Sequence, residues 1–288
     1  MLGPLLLLAL AASPAAQAPA RQPVEAAIER ALSAPAGGPR ASAASAPLLG
    51  VRYATSPLGE GSGEDPDPRF RLDAFDCVTF VETALALGSA ASLQETRRAL
   101  DDIRYRSRIH LADRLHEVIS QWIPSNLEKG WIAPSSRAAA GDATRVEAVR
   151  YDAARWRRLA ASGQRLTGVP LDQAPIGRFE LEVVPVSALA EAASRIPDGT
   201  IAFVVRAERD DRITRVSHAG LVVVRDGVRL VRHASSSPHL MRVVEEPLDR
   251  FVAGQQRAQR RPVVGLALFA VQDARSRLAG LPPLAPSP

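Results

Sequence analysis

The sequence contains few cysteine, lysine and aromatic residues. These shortages argue against a disulfide-held fold and against a nucleic-acid-binding protein. Cys77 is the only cysteine in 288 residues, so no intramolecular disulfide can hold the fold together. Aromatic residues make up 5% of the chain, and the basic residues, of which only Lys129 is not arginine, are spread along its length. Nucleic-acid-binding proteins usually cluster basic residues with aromatics between them, so we expect no nucleic-acid partner. The net charge of +5 is interpreted as solvated surface that an anionic polymer could attract.

Long hydrophobic runs are also missing after the first residues of the chain. The run from Leu5 to Ala12 is too short to cross a bilayer, and Ala18-Pro19-Ala20 before Arg21 resembles a signal-peptide cleavage site. Residues 1–20 are therefore interpreted as a signal peptide, although the segment before the run contains no Lys or Arg. We expect the mature protein to be periplasmic, with no stable membrane insertion after cleavage.

The composition indicates one large domain after processing. Hydrophobic residues make up 46% of the chain and charged residues 23%, which is typical of a globular protein with a substantial core. Residues 21–50 are rich in Ala, Pro and Ser around one short helical stretch, Val24 to Leu32, and are interpreted as a linker. We expect the domain to span residues 51–275, to be monomeric, and to be followed by a disordered tail over residues 276–288.

Helical patterns fill the first part of this domain. Hydrophobic periodicity, a capping box at Ser92 and stop signals at Gly88 and Pro124 define the segments. The predicted helices are Asp76 to about Leu87, Leu93 to about Tyr105, Leu111 to Trp122, and about Val146 to Ala160.

Strand patterns dominate after Arg178. Phe179, Leu181 and Val183 alternate with glutamates, which is the period of a half-buried strand. Because the helices come first and an antiparallel sheet follows, the order predicts an α+β fold. The other predicted strands are Thr200 to Arg206, Ser217 to Arg225, Val228 to Arg232 and Val263 to Val271, with a short helix at Ser187 to Arg195.

Asp226-Gly227 lies between two of these strands and is a strong signal for a hairpin with a two-residue turn. In such a hairpin Arg225 pairs with Val228, and this register continues along both strands. His218 and His233 then become diagonal neighbours on one face, with alpha carbons on the order of 7 to 8 Å apart. The hairpin therefore predicts that the two imidazole rings can meet.

Cys77 lies where a polar turn gives way to the first predicted helix. The first N–H groups of a helix have no partner within the helix and carry partial positive charge, which favours a thiolate. A free thiol has a pKa of about 8.5, and a helix start with a nearby imidazolium is the usual way to ionise it at neutral pH. This position predicts that Cys77 is a nucleophile. Asp76 is expected to cap the helix, and Glu82 to pair with an arginine.

His218 and His233 are the candidate partners of Cys77. A histidine beside the thiol can remove its proton and later protonate a leaving group, and a second histidine can hold the first in the right tautomer. His218 is the preferred base because it begins its strand and because Gly220 leaves room for another group to approach. The pattern predicts a Cys/His/His arrangement.

Two other uses of these residues stay open. A free cysteine is most often a small buried hydrophobe, and one Cys with two His could instead form an open zinc site. No CxxC, HExxH or carboxylate-bearing ligand pattern accompanies them in the sequence, so we expect neither a metal ion nor another cofactor. His110 and His239 are interpreted as ordinary core or surface residues.

Three segments resemble one group of enzymes. FDCVTFVET from Phe75, SHAGLVV from Ser217 and RHASS from Arg232 are similar to the N-acetylmuramoyl-L-alanine amidase-like branch of the NlpC-type, papain-like cysteine peptidoglycan hydrolases. The likeness covers about residues 50–272. It implies a papain-like, NlpC-type α+β fold, in which N-terminal helices, one with the nucleophilic cysteine at its N-terminus, pack on a C-terminal antiparallel sheet.

The resemblance also implies roles and a reaction. Cys77 would be the nucleophile, His218 the base and His233 the residue that orients the base. The substrates would be peptidoglycan fragments (muropeptides), cleaved through an acyl-enzyme at the amide bond between N-acetylmuramic acid and the L-alanine of the stem peptide. The same arrangement could serve a D-glutamyl-diamino acid endopeptidase or an exported acyl- or glutamyl-transferring enzyme, and a non-catalytic wall-binding module would leave Cys77 merely buried.

A looser match lies between these segments. Arg114-Leu115-His116 and Trp122 to Asn126 look like the family's Arg-x-His and Trp-Ile-Pro-x-Asn stretches, although Leu115 replaces a polar residue and Glu117 an aromatic one. Arg114, an always-charged planar donor, is expected to grip a carboxylate of the substrate. The candidate substrate-binding residues are Arg114, His116, Trp122, Asn126 and Ser217.

Overall fold

Helices from the first half of the chain pack against a curled sheet built mainly from the second half. The computed structural model describes residues 24–161, 171–209, 212, 214–258 and 261–283. Within these residues the protein has a mixed α+β fold, as the order of helical and strand patterns predicts. The predicted signal peptide, residues 1–20, lies outside the described part of the chain.

The helices alternate with short 3-10 and π-helical turns. The α-helices in the described residues are α1 (Val24–Ala31), α2 (Gly38–Ser45), α3 (Cys77–Ser89), α4 (Leu93–Arg104), α5 (Ile123–Glu128), α6 (Ser136–Ala140), α7 (Ala153–Ala161), α8 (Leu189–Ala192), α9 (Leu248–Ala258) and α10 (Arg275–Gly280).

The strands of the described residues form one sheet in the order β2-β1-β9-β8-β7-β6-β10-β5-β4, with β3 paired to β10. All neighbours are antiparallel except β1 and β2. The strands are β1 (Arg52–Tyr53), β2 (Ala74–Phe75), β3 (Ile132–Pro134), β4 (Arg145–Tyr151), β5 (Gly177–Pro185), β6 (Thr200–Arg206), β7 (Val216–Arg225), β8 (Val228–Ser235), β9 (Arg242–Pro247) and β10 (Val263–Val271).

Helix α3 begins at Cys77 because the residue before it caps the helix. The Asp76 carboxylate accepts a hydrogen bond from the Thr79 N–H at 2.8 Å, and the Thr79 hydroxyl accepts one from the Asp76 N–H at 3.0 Å. Such a reciprocal capping box satisfies two N–H groups that the helix itself leaves without partners. The predicted capping role of Asp76 is confirmed, and Cys77 is the first residue of the helix.

The sheet is covered on both faces. On β7, Ala219 and Leu221 belong to the apolar cluster that includes Phe80 of α3. The alternate residue Val222 belongs to a second cluster with Phe251 of α9. Since successive side chains of a strand point to opposite faces, α3 covers one face of β7 and α9 covers the other.

Several predicted elements are confirmed. Strands β6 and β10 have the predicted bounds, and the strand predicted at Phe179 is β5. Helix α4 begins after Ser92, whose hydroxyl accepts a hydrogen bond from the Glu95 N–H at 3.2 Å. These segments carry strong local signals, so they form where the sequence pattern indicates.

The helix predicted from Val146 to Ala160 is wrong in its first half. Residues 145–151 form β4, and α7 begins only at Ala153. Strand β4 pairs with β5 from Arg145–Val183 to Tyr151–Gly177. The strand partner lies about thirty residues further along the chain, so a local hydrophobic period does not reveal it.

The helix predicted from Leu111 to Trp122 is also wrong. A 3-10 turn covers Leu111–Asp113, and a π-helical turn covers Val118–Trp122 and leads into α5. Pro124 was expected to stop the helix but lies in the first turn of α5. Proline is tolerated there because the first N–H groups of a helix need no partner within it.

The residues interpreted as a linker, 21–50, form α1 and α2 where the structure describes them and contribute side chains to the core. Ile28, Ala41 and Leu48 are fully buried. Their small neighbours allow close packing, since a Cβ added at Gly88 of α3 would lie 3.3 Å from that of Ala41. The same composition that suggests a linker therefore serves tight helix packing.

The predicted disordered tail, residues 276–288, is partly ordered. Helix α10 continues to Gly280, and its Leu278 is buried. Residues 284–288 lie outside the described part of the chain. None of the helices in the described ranges has the length and hydropathy that a membrane span requires.

Candidate active site

The β7–β8 hairpin brings two imidazole rings together. Its turn residues Asp226 and Gly227 both have positive φ, 50° and 79°, and the strands pair from Arg225–Val228 to Leu221–Arg232. This is the predicted register. Nε2 of His218 lies 2.8 Å from Nδ1 of His233, and the ring centroids are 4.8 Å apart. The prediction that the rings can meet is confirmed.

A carboxylate continues this hydrogen-bond chain. Nε2 of His233 lies 2.9 Å from Oε1 of Glu246 on the neighbouring strand β9. Both rings are buried against Phe251 of α9, at centroid distances of 5.0 Å for His233 and 5.8 Å for His218. The sequence analysis missed Glu246 because it did not predict β9.

The hydrogen bonds from His218 through His233 to Glu246 determine which ring nitrogen of His218 can accept a proton. An ionised carboxylate only accepts hydrogen bonds, so Nε2 of His233 must donate to Glu246. In a neutral imidazole the other nitrogen is then an acceptor, and Nδ1 of His233 receives the Nε2–H of His218. Nδ1 of His218 is therefore left with a free lone pair, which is the atom that a base needs.

The thiol of Cys77 lies beside the residue that follows His218. The backbone N–H groups of Ala219, Cys77 and Val78 lie around the Cys77 sulfur and lower the pKa of its thiol. The paired residues of the hairpin end at Leu221–Arg232, before Ala219 is reached. The Ala219 N–H therefore has no partner in β8 and is available to the Cys77 sulfur. Within the described residues no hydrogen bond joins the thiol to either imidazole.

The protonation states differ from those the sequence suggests. Burial, followed by the charge of Asp76, raises the pKa of Cys77 to about 12, although the surrounding N–H groups lower it. Burial, with smaller effects from His233 and Arg206, lowers the pKa of His218 to about 3. Both shifts favour a neutral thiol and a neutral imidazole over the expected thiolate and imidazolium, because desolvation opposes the effect of the helix N-terminus.

The raised pKa of Cys77 predicts how alkylation of the protein depends on pH. Below its pKa the thiolate fraction rises about tenfold per pH unit, so the rate constant for iodoacetamide should rise without a plateau from pH 6 to pH 10. A preformed ion pair would instead give a plateau beginning on the acid side of pH 6. Intact-protein mass spectrometry reports the single cysteine, and a small free thiol serves as the control, with its plateau above about pH 8.5.

Arg114 has two carboxylate partners inside the protein. Its guanidinium lies 2.8 Å from Oε1 of Glu60 and 2.7 Å from Oδ2 of Asp65. A salt bridge to two carboxylates already neutralises the charge that was expected to grip the substrate. The expected substrate contact of Arg114 therefore stays a prediction and is not carried into the proposal below.

The other residues of the looser match have internal partners as well. His116 donates to the Leu111 carbonyl at 2.8 Å, and the buried Asn126 amide donates to the Trp122 carbonyl at 2.9 Å. The Trp122 indole donates to Glu82 at 3.0 Å. These contacts hold the three side chains within the protein, and substrate contacts of His116, Trp122 and Asn126 stay predictions.

Glu82 pairs with an arginine, as expected. Its Oε2 lies 3.2 Å from Nε of Arg104, and both side chains are buried. Burial raises the pKa of Glu82 to about 7, although Arg104 lowers it. The pair lies beneath α3 and holds Trp122 against that helix.

Residues 43–258, which include Cys77, His218, His233 and Glu246, match the profile of the family described as AmiA-like, N-acetylmuramoyl-L-alanine amidase-like. The chain belongs to this family. The match includes most of the sheet and every side chain of the histidine–carboxylate chain.

Two solved structures share the fold of this amidase-like chain. A protein from Legionella pneumophila is 20% identical with a TM-score of 0.67, over 86% of this chain and 89% of that one. An N-acetylmuramoyl-L-alanine amidase from Bacteroides uniformis is 20% identical with a TM-score of 0.61, over 86% of this chain and 99% of that one. No curated protein matches the sequence.

Arg206 is a further residue of the amidase-like site that the sequence analysis missed. It is fully buried, and its Nε donates to the Ser217 hydroxyl at 2.7 Å, beside the bulge that precedes His218. No carboxylate pairs with it among the described residues. Its charge opposes protonation of His218, and it occupies the Ser217 hydroxyl that was expected to bind substrate.

The structure also bears on the zinc alternative. Within the described ranges no group of three or more His, Cys, Asp or Glu side chains is arranged to hold a metal ion. His233 is instead hydrogen-bonded on both ring nitrogens, to His218 and to Glu246. We derive no metal-dependent step for this site.

Proposed function

We propose that this chain is a cysteine amidase that hydrolyses the bond between N-acetylmuramic acid and the L-alanine of peptidoglycan stem peptides. Membership of the amidase-like family supports the peptidoglycan substrate. The observation that supports the mechanism is the free lone pair on Nδ1 of His218, which precedes Ala219, the residue whose N–H lowers the pKa of the Cys77 thiol. The proposal also retains the NlpC-type, papain-like arrangement and a periplasmic location.

In the first step the Cys77 thiol loses its proton to the His218 imidazole while the sulfur attacks the substrate. Nδ1 of His218 takes the thiol proton while the Cys77 sulfur forms a bond to the lactyl carbonyl carbon. The carbonyl electron pair moves onto oxygen, and backbone N–H groups at the start of α3 stabilise the negative charge. Because no ionised thiol is present beforehand, removal of the proton is part of the activation barrier.

The resulting imidazolium is stabilised through the hydrogen-bond chain. His233 accepts from Nε2 of His218 and donates to the Glu246 carboxylate, so the positive charge is compensated without full exposure to water. His218 then gives its Nδ1 proton to the L-alanine nitrogen as the carbon–nitrogen bond breaks. The products of this step are the free stem peptide and a thioester on Cys77.

Hydrolysis of the thioester again uses Nδ1 of His218 as the base, and the Cys77 sulfur is now the leaving group. Nδ1 of His218 removes a proton from water, whose oxygen attacks the acyl carbon. The carbon–sulfur bond breaks, and the sulfur recovers the proton from His218. The lactyl carboxylic acid leaves, and the thiol and the neutral imidazole are restored.

Product analysis decides which bond is cut. Purified protein is incubated with a defined disaccharide tripeptide, and mass spectrometry is expected to show the free tripeptide with an L-alanine amino terminus and the intact disaccharide. In ¹⁸O-labelled water one label should enter the lactyl carboxyl group. Cys77→Ala is the control and should form neither product.

Other outcomes contradict the proposal in distinguishable ways. Release of the diamino acid, with L-Ala-D-Glu left on the sugar, would identify the endopeptidase alternative. Transfer of the acyl group to an added amine in place of water would identify a transferase. Binding of muropeptides without any product, unchanged by Cys77→Ala, would identify a wall-binding module.

A further inference from the structure

Two arginines face each other across the β1–β9 edge of the sheet. Arg52 is the strand partner of Arg242. The Tyr53 N–H donates to the Met241 carbonyl, and the Val243 N–H donates to the Val51 carbonyl, so the hydrogen bonds flank the arginine pair. This is the pair type without its own hydrogen bonds, in which opposite side chains approach most closely.

Two like charges placed directly opposite each other destabilise a sheet unless something compensates them. Arg242 is exposed and has no carboxylate partner within the described residues. Arg52 is also exposed, and its one carboxylate partner in the described part of the chain, Asp73 at 3.8 Å, is already bound by Arg71 through both carboxylate oxygens at 2.7 and 2.8 Å. The pair therefore carries positive charge that the carboxylates of the described residues leave largely uncompensated.

The two carboxylates of β9, Glu245 and Glu246, already bind other side chains of the protein. Glu245 lies 2.8 Å from Nε of Arg232 and 2.7 Å from Arg225, and Glu246 holds His233. Neither is free to turn toward the arginine pair without breaking these contacts. An anion from outside the protein could therefore bind between the two exposed guanidinium groups.

The arginine pair lies on the same sheet face as the histidine rings. Arg242 is the strand partner of Ser235, which lies two residues after His233 and hence on the same face of β8. With strands about 4.8 Å apart, Arg242 lies roughly 10 Å and Arg52 roughly 14 Å across the sheet from the β7 strand of His218. Ser235, Arg242 and Arg52 thus lie on this face between the histidine rings and β1, the second strand from the sheet edge.

We propose that Arg52 and Arg242 bind the carboxylates of the second and third residues of the stem peptide, which deepens the function proposed above and rests on it. An extended peptide covers at most about 3.6 Å per residue, so these carboxylates lie roughly 7 and 11 Å beyond the scissile amide. The long arginine side chains span the remaining distance. Planar guanidinium groups also match the geometry of carboxylates.

The test compares Arg242→Gln and Arg52→Gln, singly and together, on a disaccharide tripeptide with free carboxylates and on the same compound with those carboxylates amidated. The double variant should raise KM for the free acid about tenfold with kcat unchanged, and should have little effect on the amidated compound. Wild-type protein should show about the same loss on amidation. Arg145→Gln, an exposed strand arginine at the opposite sheet edge, is the matched control and should change neither constant.

Binding and stability measurements keep this inference separate from the proposed function. Calorimetry with Cys77→Ala protein measures the affinity for the uncleaved tripeptide compound, so the arginine variants can be judged even if the wild type shows no turnover. The double variant should lose about tenfold in affinity while its Tm stays the same or rises, because a repulsive pair is removed. Equal affinity for free and amidated compounds, or a lowered Tm with unchanged affinity, would overturn the inference while leaving the amidase proposal intact.

Discussion

Replacement of Cys77 by alanine, of His218 by alanine, or of both together is expected to lower kcat for muropeptide cleavage to the same residual level, at least about 10³-fold below wild type. The high pKa of the thiol is the reason: without Nδ1 of His218 the sulfur stays protonated, and without the sulfur the base has nothing to activate. Because Cys77 and His218 act together in one step, removing the second group causes no further loss of kcat once the first is gone. The double variant should therefore be no worse than either single variant.

Initial rates from chromatography of the released tripeptide measure this effect. His239→Ala is the matched control, since His239 is exposed on the loop after β8 and should leave the rate unchanged. Circular dichroism melts of each variant separate loss of chemistry from loss of fold. If His218→Ala kept more than about a tenth of the wild-type rate, this histidine would not be the base.

Replacement of Arg104 by alanine is expected to lower the free energy of unfolding by about 3–5 kcal/mol at pH 8. Arg104 is buried and pairs with Glu82, which would then remain as a buried carboxylate without a counter-charge. Arg104 also donates to the Leu58 carbonyl at 3.1 Å and so ties the loop before α3 to α4. The first loss falls on the helix that carries Cys77, and the second falls on the loop before it.

The size of this loss should depend on pH, and the sign follows from Glu82. Burial raises the pKa of this carboxyl to about 7 in the folded protein, above its ordinary value of 4.5. An acid with a raised pKa costs stability as pH rises from the unfolded to the folded value. Without Arg104 this pKa should rise further, so the variant is expected to lose less stability at pH 5, where Glu82 is protonated, than at pH 8.

Urea denaturation at the two pH values measures this dependence. Arg106→Ala is the matched control, because Arg106 is exposed two residues further along, and it should change stability by no more than about 0.5 kcal/mol. Adding Glu82→Gln to Arg104→Ala removes the unpaired charge and should recover part of the loss at pH 8. A loss that is equal at both pH values would show that packing, not the charge pair, sets the effect.

The sequence was sufficient for features that depend on neighbouring residues. Asp226 and Gly227 adopt the positive φ angles that a two-residue turn needs, so the turn sets the register and the register places His218 beside His233. Asp76 caps α3 through Thr79, three residues away. These interactions act over a few residues, and the sequence pattern contains both partners.

Features that depend on distant partners could not be read in the same way. Strand β4 carries a pattern that also suits a helix, and its pairing with β5 decides between them. Glu246 can accept a hydrogen bond from His233 only because β9 lies beside β8. No local sequence pattern predicts that these two strands are neighbours. The roles of Glu60 and Asp65 as partners of Arg114 depend on the same kind of contact.

The local sequence by itself determined the helix start at Cys77, the hairpin register and the α+β order of the chain, because caps, turns and periodicities act between near neighbours. Only the tertiary structure decided the protonation of the site. Burial raises the pKa of Cys77 and lowers that of His218, and both shifts oppose the charge state that the helix start favours. Desolvation depends on everything packed around a group, and that environment exists only once the chain has folded.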